Sequence, residues 1–158
     1  MTTSRLDALL FVALLDLREA RSVVVERMPQ IASATRDPAT RSAFDDLIAR
    51  SDRELASFSQ ILNHPEGEPN LWAGGILDDA CRDVGSNEAG PVRDVALIGA
   101  IRKLLASDIV SLETAMALSL DGDRQTAAAI SGMHRASTAA NDRLALQLQR
   151  ITGSNLPI

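Results

Sequence analysis

Aromatic residues are scarce in this chain of 158 residues, which has three phenylalanines, one tryptophan and no tyrosine. A β sandwich fills its sheets with aromatic and β-branched side chains. The abundance of alanine and leucine here points instead to helices packed at close range. Cysteine is nearly absent too: the lone Cys81 excludes an internal disulfide framework and points to a reducing, cytoplasmic setting. Positive charge is in deficit, with a formal net charge of −5 and no basic cluster to grip phosphates, so nucleic acid is not an expected partner. Long apolar runs are missing as well. The longest, ALLFVALL at 8–15, falls far short of the roughly 20 residues that cross a bilayer. Asp7 before it and DLREAR after it also fit a signal peptide poorly. No membrane association is expected.

What the chain does have is helical rhythm. Four segments repeat apolar residues with a period of about 3.6. The first, 4–34, carries Leu6, Leu10, Ala13, Leu17, Ala20, Val24, Met28 and Ile31 on one stripe, with Ser4 and Asp7 as a capping box and Pro29 predicting a kink or a broken last turn. The second, 37–62, opens on Asp37-Pro38, an N-cap followed by a first-turn proline, and carries Phe44, Ile48, Ser51, Leu55, Phe58 and Leu62. The third, 91–120, is striped by Ile98, Ile101, Leu105, Asp108, Leu112 and Met116. The fourth, 123–151, is striped by Ile130, Met133, Ser137, Ala140, Leu144, Leu148 and Ile151.

Two of the connections are short, which makes their helices antiparallel neighbours. The third is a long Pro/Gly-rich crossover, NHPEGEPNLWAGG and onward, with a short helix expected over 76–84. This organisation predicts one all-α domain over 1–158, a ferritin-like four-helix bundle whose long crossover between the second and third helices carries a short extra helix.

DLREARSVVVERMPQIASA, DPATRSAFDDLIARSDRELASFSQIL, the crossover cysteine and RDVALIGAIRKLLASDIVSLE follow one another along the chain. Over 6–148 this pattern of leucines, Pro29 and Phe44 resembles the YciE/YciF-type ferritin-like family. The resemblance implies a helical bundle, a homodimer, a role in stress response and a metal centre at defined positions. At those positions the chain departs from the family. An acid of the first helix is replaced by Arg21, a His and Glu of the second by Leu47 and Arg50, and the Glu-His-x-Glu of the third falls on Leu105, Ala106, Ser107 and Asp108, so that only its last acid survives, shortened. The acidic pair of the fourth helix falls near Ala136 and Ser137.

Residue spacing agrees without any alignment. No carboxylate lies between Asp94 and Asp108 or between Asp123 and Asp142, and neither His64 nor His134 has a glutamate three residues before it. A di-metal carboxylate site needs inward acids from all four helices. The expectation is therefore a divergent member of this kind with no metal and no cofactor. Arg21, bordering the first stripe, and Asp108, on the third, are expected to form a buried arginine–carboxylate pair, with Arg50 as the other candidate cation. In the alternative, one or both arginines extend to solvent.

Other polar groups are read as ordinary surface or caps. Asp16, Glu19 and Glu26 with Arg18 and Arg27, and the run DDLIARSDRE at 45–54, are expected to be solvated i, i+4 faces. Asp123 is expected to cap the fourth helix, His134 to be a hydrogen-bonded packing residue, and Cys81 to be a half-buried, inert thiol. Trp72 is placed in the loop, plugging a bundle end. Leu9, Phe11, Val12 and Leu15 add apolar surface beyond the first stripe, so a homodimer along this helix is expected, with Trp72 as a further contact candidate and a protein partner as a possibility. The function expected is that of a stress-associated bundle acting through self-association or protein contacts. The competing reading is a metal- or redox-active enzyme using Asp108, Glu113, His134 and Cys81. Against it, Asp108 and Glu113 lie about 140° apart around one helix.

Overall fold

In the computed structural model, which describes residues 5–63, 67–119 and 123–154, the element order is α1 Leu6–Ala34, α2 Pro38–Leu62, α3 Leu71–Ser86, α4 Pro91–Leu118 and α5 Arg124–Thr152. The described residues contain no strand. Local chemistry sets most of these boundaries. Asp37 accepts from the Thr40 N–H at 2.8 Å with Pro38 beside it, and Asp123 accepts from the Gln125 and Thr126 N–H groups at 3.3 and 2.9 Å. Left-handed residues stop two helices, Asn63 after α2 and Gly153 after α5.

Helix α1 runs unbroken through Pro29 to Ala34. Packing of Met28, Ile31 and Ala32 in the core holds the turn that proline would otherwise end. The expected capping box is half outside the described residues, at Ser4. Its other half, Asp7, pairs with Arg5 instead, Nε to Oδ1 at 2.9 Å.

The crossover helix is longer than expected. Asn70 caps it by accepting from the Ala73 N–H at 2.7 Å, so α3 begins five residues before the expected start and Trp72 lies in its first turn, not in a loop. Gly74 and Gly75, which read as loop residues, are helical. Burial of Ala73, Leu77 and Ala80 against α1 and α4 outweighs the helix penalty of about 1 kcal/mol that each glycine carries. Helix α3 runs alongside α1 in the same direction: Asn70 Nδ2 donates to Asp16 Oδ1 at 2.8 Å near its start, and Arg27 pairs with Asp78 further up.

One end of the bundle is tied by Asp94. Its two oxygens accept from the backbone N–H groups of Arg36 and Asp37 at 3.0 and 2.8 Å, joining the α1–α2 corner to the first turn of α4. Arg150 brings the end of α5 to the same corner by donating to Asp37 Oδ2 at 2.5 Å. Helices α2 and α4 therefore start at the same end, as a long crossover requires.

The apolar core forms two clusters. Val24, Met28, Ile31, Phe44, Leu97, Ile98 and Ile101 belong to the first, and Leu14, Leu17, Phe58, Leu62, Leu112, Ile130 and Met133 to the second. Each large side chain buried this way contributes about 1.5–3 kcal/mol. No helix among the described residues is long and apolar enough to cross a membrane.

Candidate functional site

Between the two apolar clusters lies a polar layer. On α1 the boundary falls at Arg21, on α2 at Ser51 and Glu54, on α4 at Asp108 and on α5 at Ser137, and all five are buried. Every one sits where its helix's inward stripe crosses mid-height.

Arg21 occupies the centre. Its Nη1 and Nη2 donate to Asp108 Oδ1 and Oδ2, the second bond being 3.1 Å. Its Nε donates to Glu54 Oε2 at 2.9 Å. Ser137 Oγ adds a 2.6 Å bond to Asp108 Oδ2, and the guanidinium carbon stands 5.7 Å from the Phe58 ring centroid, a cation–π distance. Burial alone would weaken the charge on Arg21, but the Asp108 and Glu54 carboxylates outweigh that cost and hold its pKa above the ordinary arginine value.

Arg50 is placed differently. Its Nε lies 3.7 Å from Glu54 Oε1, inside ion-pair range but beyond a hydrogen bond, and its buried Nε and Nη1 find no hydrogen-bond acceptor. Burial pushes its pKa down, Glu54 partly opposes this, and the nearby Arg21 adds to the fall. Arg21, not Arg50, is the partner of Asp108.

Glu54 is a correction to the sequence reading, which assigned the whole 45–54 run to a solvated face. It lies three residues after Ser51 and four before Phe58, on the inward stripe. That spacing was the available signal, masked by the charged residues around it. Asp16 and Glu19 also leave the expected solvated ridge. Asp16 accepts from Trp72 Nε1 at 3.1 Å and from Asn70, while Glu19 accepts from the Gly67 N–H at 2.9 Å. Trp72 therefore fastens the crossover to α1 and lines the layer's edge beside Arg21 and Leu104, away from the bundle end.

Of the alternative ligand set Asp108, Glu113, His134 and Cys81, only His134 and Glu113 are brought together. His134 Nε2 lies 3.2 Å from Glu113 on the α4–α5 surface, Asp108 is engaged by Arg21 and Ser137, and Cys81 is half-buried on α3. Among the described residues, no three His, Cys, Asp or Glu side chains converge as a metal site would need.

The fold is a ferritin-like four-helix bundle with a helix in its crossover. Among solved structures it is similar to the E. coli stress protein YciF, with a TM-score of 0.90, 19% identity, and coverage of 97% of this chain and 100% of that one. It is also similar to YcfI from Rhodopseudomonas palustris, to which a structural role is provisionally ascribed, with a TM-score of 0.85, 16% identity, and coverage of 90% of this chain and 94% of that one. At these identities the likeness concerns the fold. No family model and no curated protein matches the sequence.

The metal centre implied by the family resemblance does not fit these residues. Leu47, Arg50, Leu105, Asp108 and Arg21 surround a hole of only about 20 Å³. The one carboxylate that lines it, Asp108, is already held by Arg21 and Ser137, and a second guanidinium, Arg50, stands beside it. Two cations placed there would face two guanidinium groups, with only the Asp108 and Glu54 carboxylates to set against all four positive centres.

Proposed function

We propose that this protein is a metal-free ferritin-like bundle that serves a stress response through self-association or protein contacts, with no catalytic centre of its own. The observation that carries the reading is the bridge from Arg21 to Glu54 and Asp108. A guanidinium fixed by carboxylates from two other helices does mechanically what an ion does in a metal-centred bundle: it joins α1, α2 and α4 at one level. Arg21, Leu47, Arg50, Leu105 and Asp108 are in this account the remains of a ligand shell, converted to a register lock.

A homodimer along the start of α1 is part of the proposal. Leu9, Phe11 and Val12 are 41, 40 and 47% exposed, next to Leu6. Leu15 is half-buried, and the crossover approaches it at Gly67, so the dimer face is narrower than the sequence suggests. The similarity to the stress protein YciF supports the stress-associated part of this reading.

Elemental analysis of protein purified without chelator tests the first half: iron, manganese and zinc are expected far below one atom per chain, and a stoichiometric metal would sink it. Light scattering tests the second. The wild type is expected to be a dimer at micromolar concentration and Val12→Lys a folded monomer; a monomeric wild type contradicts the proposal.

A further inference from the structure

Helices α2 and α5 touch least of all the neighbouring pairs in the bundle. Between them opens a cleft of about 350 Å³, within the size range of small-molecule sites. Its floor is aliphatic: Leu47 from α2, Leu105 from α4, and Ala136, Ala140 and Leu144 from α5. Charge is confined to the α2 side and the rim. Arg143 is already engaged, donating to Asp46 Oδ2 at 2.5 Å and to Ser42. Arg50 has only its 3.7 Å ion pair with Glu54: it lines the cleft, its buried Nε and Nη1 groups have no hydrogen-bond acceptor, and Arg53 stands one turn along.

A buried guanidinium with unmet donors is unfavourable, because its N–H groups have given up water without a hydrogen bond in return. In a protein of net charge −5, three arginines against one aspartate also make this cleft locally positive. We infer that the α2–α5 cleft binds an aliphatic monocarboxylate, with Arg50 turning about its outer side-chain torsions to take the carboxylate and the alanine–leucine floor taking the hydrocarbon chain. The lining has no aromatic face on which a flat ring could stack. Its hydrogen-bonding side chains, Arg50, Arg53, Arg143 and Asp46, leave the alanine–leucine floor without a polar group for the hydroxyls of a sugar. The inference does not depend on whether the bundle dimerises.

Titration calorimetry with butyrate, hexanoate and octanoate on the full chain tests it. Affinity is expected to rise about fourfold per added methylene as hydrocarbon leaves water, and octanoate should perturb the methyl NMR signals of Ala136 and Ala140. Octanol and octylammonium should bind at least tenfold more weakly. Arg50→Met should lower octanoate affinity at least tenfold. Ala139→Phe, on the exposed rim with Arg50 intact, should do the same by filling the cleft, which keeps the test decisive if Arg50→Met does not fold. Absence of octanoate binding, affinity independent of chain length, or binding unchanged in Ala139→Phe would each overturn the inference.

Discussion

Ser137 Oγ donates to Asp108 Oδ2 over 2.6 Å, and Arg21 reaches the same oxygen at 3.1 Å. Helix α5 thus enters the polar layer through one hydroxyl. A hydrogen bond to a buried charged group is worth about 1.5–3 kcal/mol, so Ser137→Ala is expected to lower stability by that amount in urea unfolding with an unchanged m-value. A loss below about 0.5 kcal/mol would mean that the hydroxyl carries no weight there.

Arg21→Ala should cost about 3–5 kcal/mol, because it leaves the Asp108 carboxylate buried without its cation, and Asp108→Ala should cost less, because Arg21 keeps its 2.9 Å bond to Glu54. Removing all the charges together should be gentler. The quadruple variant Arg21→Met, Arg50→Met, Glu54→Leu, Asp108→Leu, which also takes out the cation that Glu54 faces, is expected to regain most of the loss. Thermal melts in which both single variants lose under about 1 kcal/mol would contradict the assigned role.

Gly75 is helical and exposed, and a methyl group added at its Cα would meet no heavy atom within 4 Å beyond its own helix backbone, so nothing in the fold requires glycine there. Gly75→Ala is expected to stabilise the protein by about 0.5–1 kcal/mol through reduced freedom of the unfolded chain. Thermal unfolding of this variant checks whether α3 is a packed helix throughout; a destabilised variant would count against it.

Asp37 receives bonds from the Thr40 backbone and from Arg150. Burial pushes its pKa up, but these donors prevail and hold it below the ordinary 3.8. A carboxylate depressed on folding adds stability that is fully present above the unfolded value and lost as pH falls through the folded one. Stability should therefore decline as pH drops below about 4, and Asp37→Asn should flatten that limb. A carboxyl NMR titration placing Asp37 at or above 3.8 would contradict the assignment.

The parts legible in the sequence were those fixed by nearby residues. Asp37-Pro38 and Asp123 announced two helix starts, and the leucine stripes announced four long helices. Asp108, an acid on an apolar stripe, announced a buried partner, and Arg21 at a stripe border supplied it. Glu54 stayed hidden because its burial depends on Arg21, 33 residues earlier. Alone in its helix it reads as one more surface acid. Trp72 was misplaced for a related reason: Gly74 and Gly75 suggest a loop until Ala73, Leu77 and Ala80 find α1 and α4 to pack on. Asp94 belongs to the same group, since its acceptors serve N–H donors 57 and 58 residues away.

The crossover helix gives the molecule a sheltered flank and an open one. Helix α3 roofs α1 and α4, so anything approaching from that direction must first displace Trp72 and its anchor on Asp16. The opposite flank, where α2 meets α5, carries no such cover. A tag or fluorophore attached at Asp79 should therefore be tolerated as a passive marker, whereas one attached at Ala139 would sit in the doorway of the bundle.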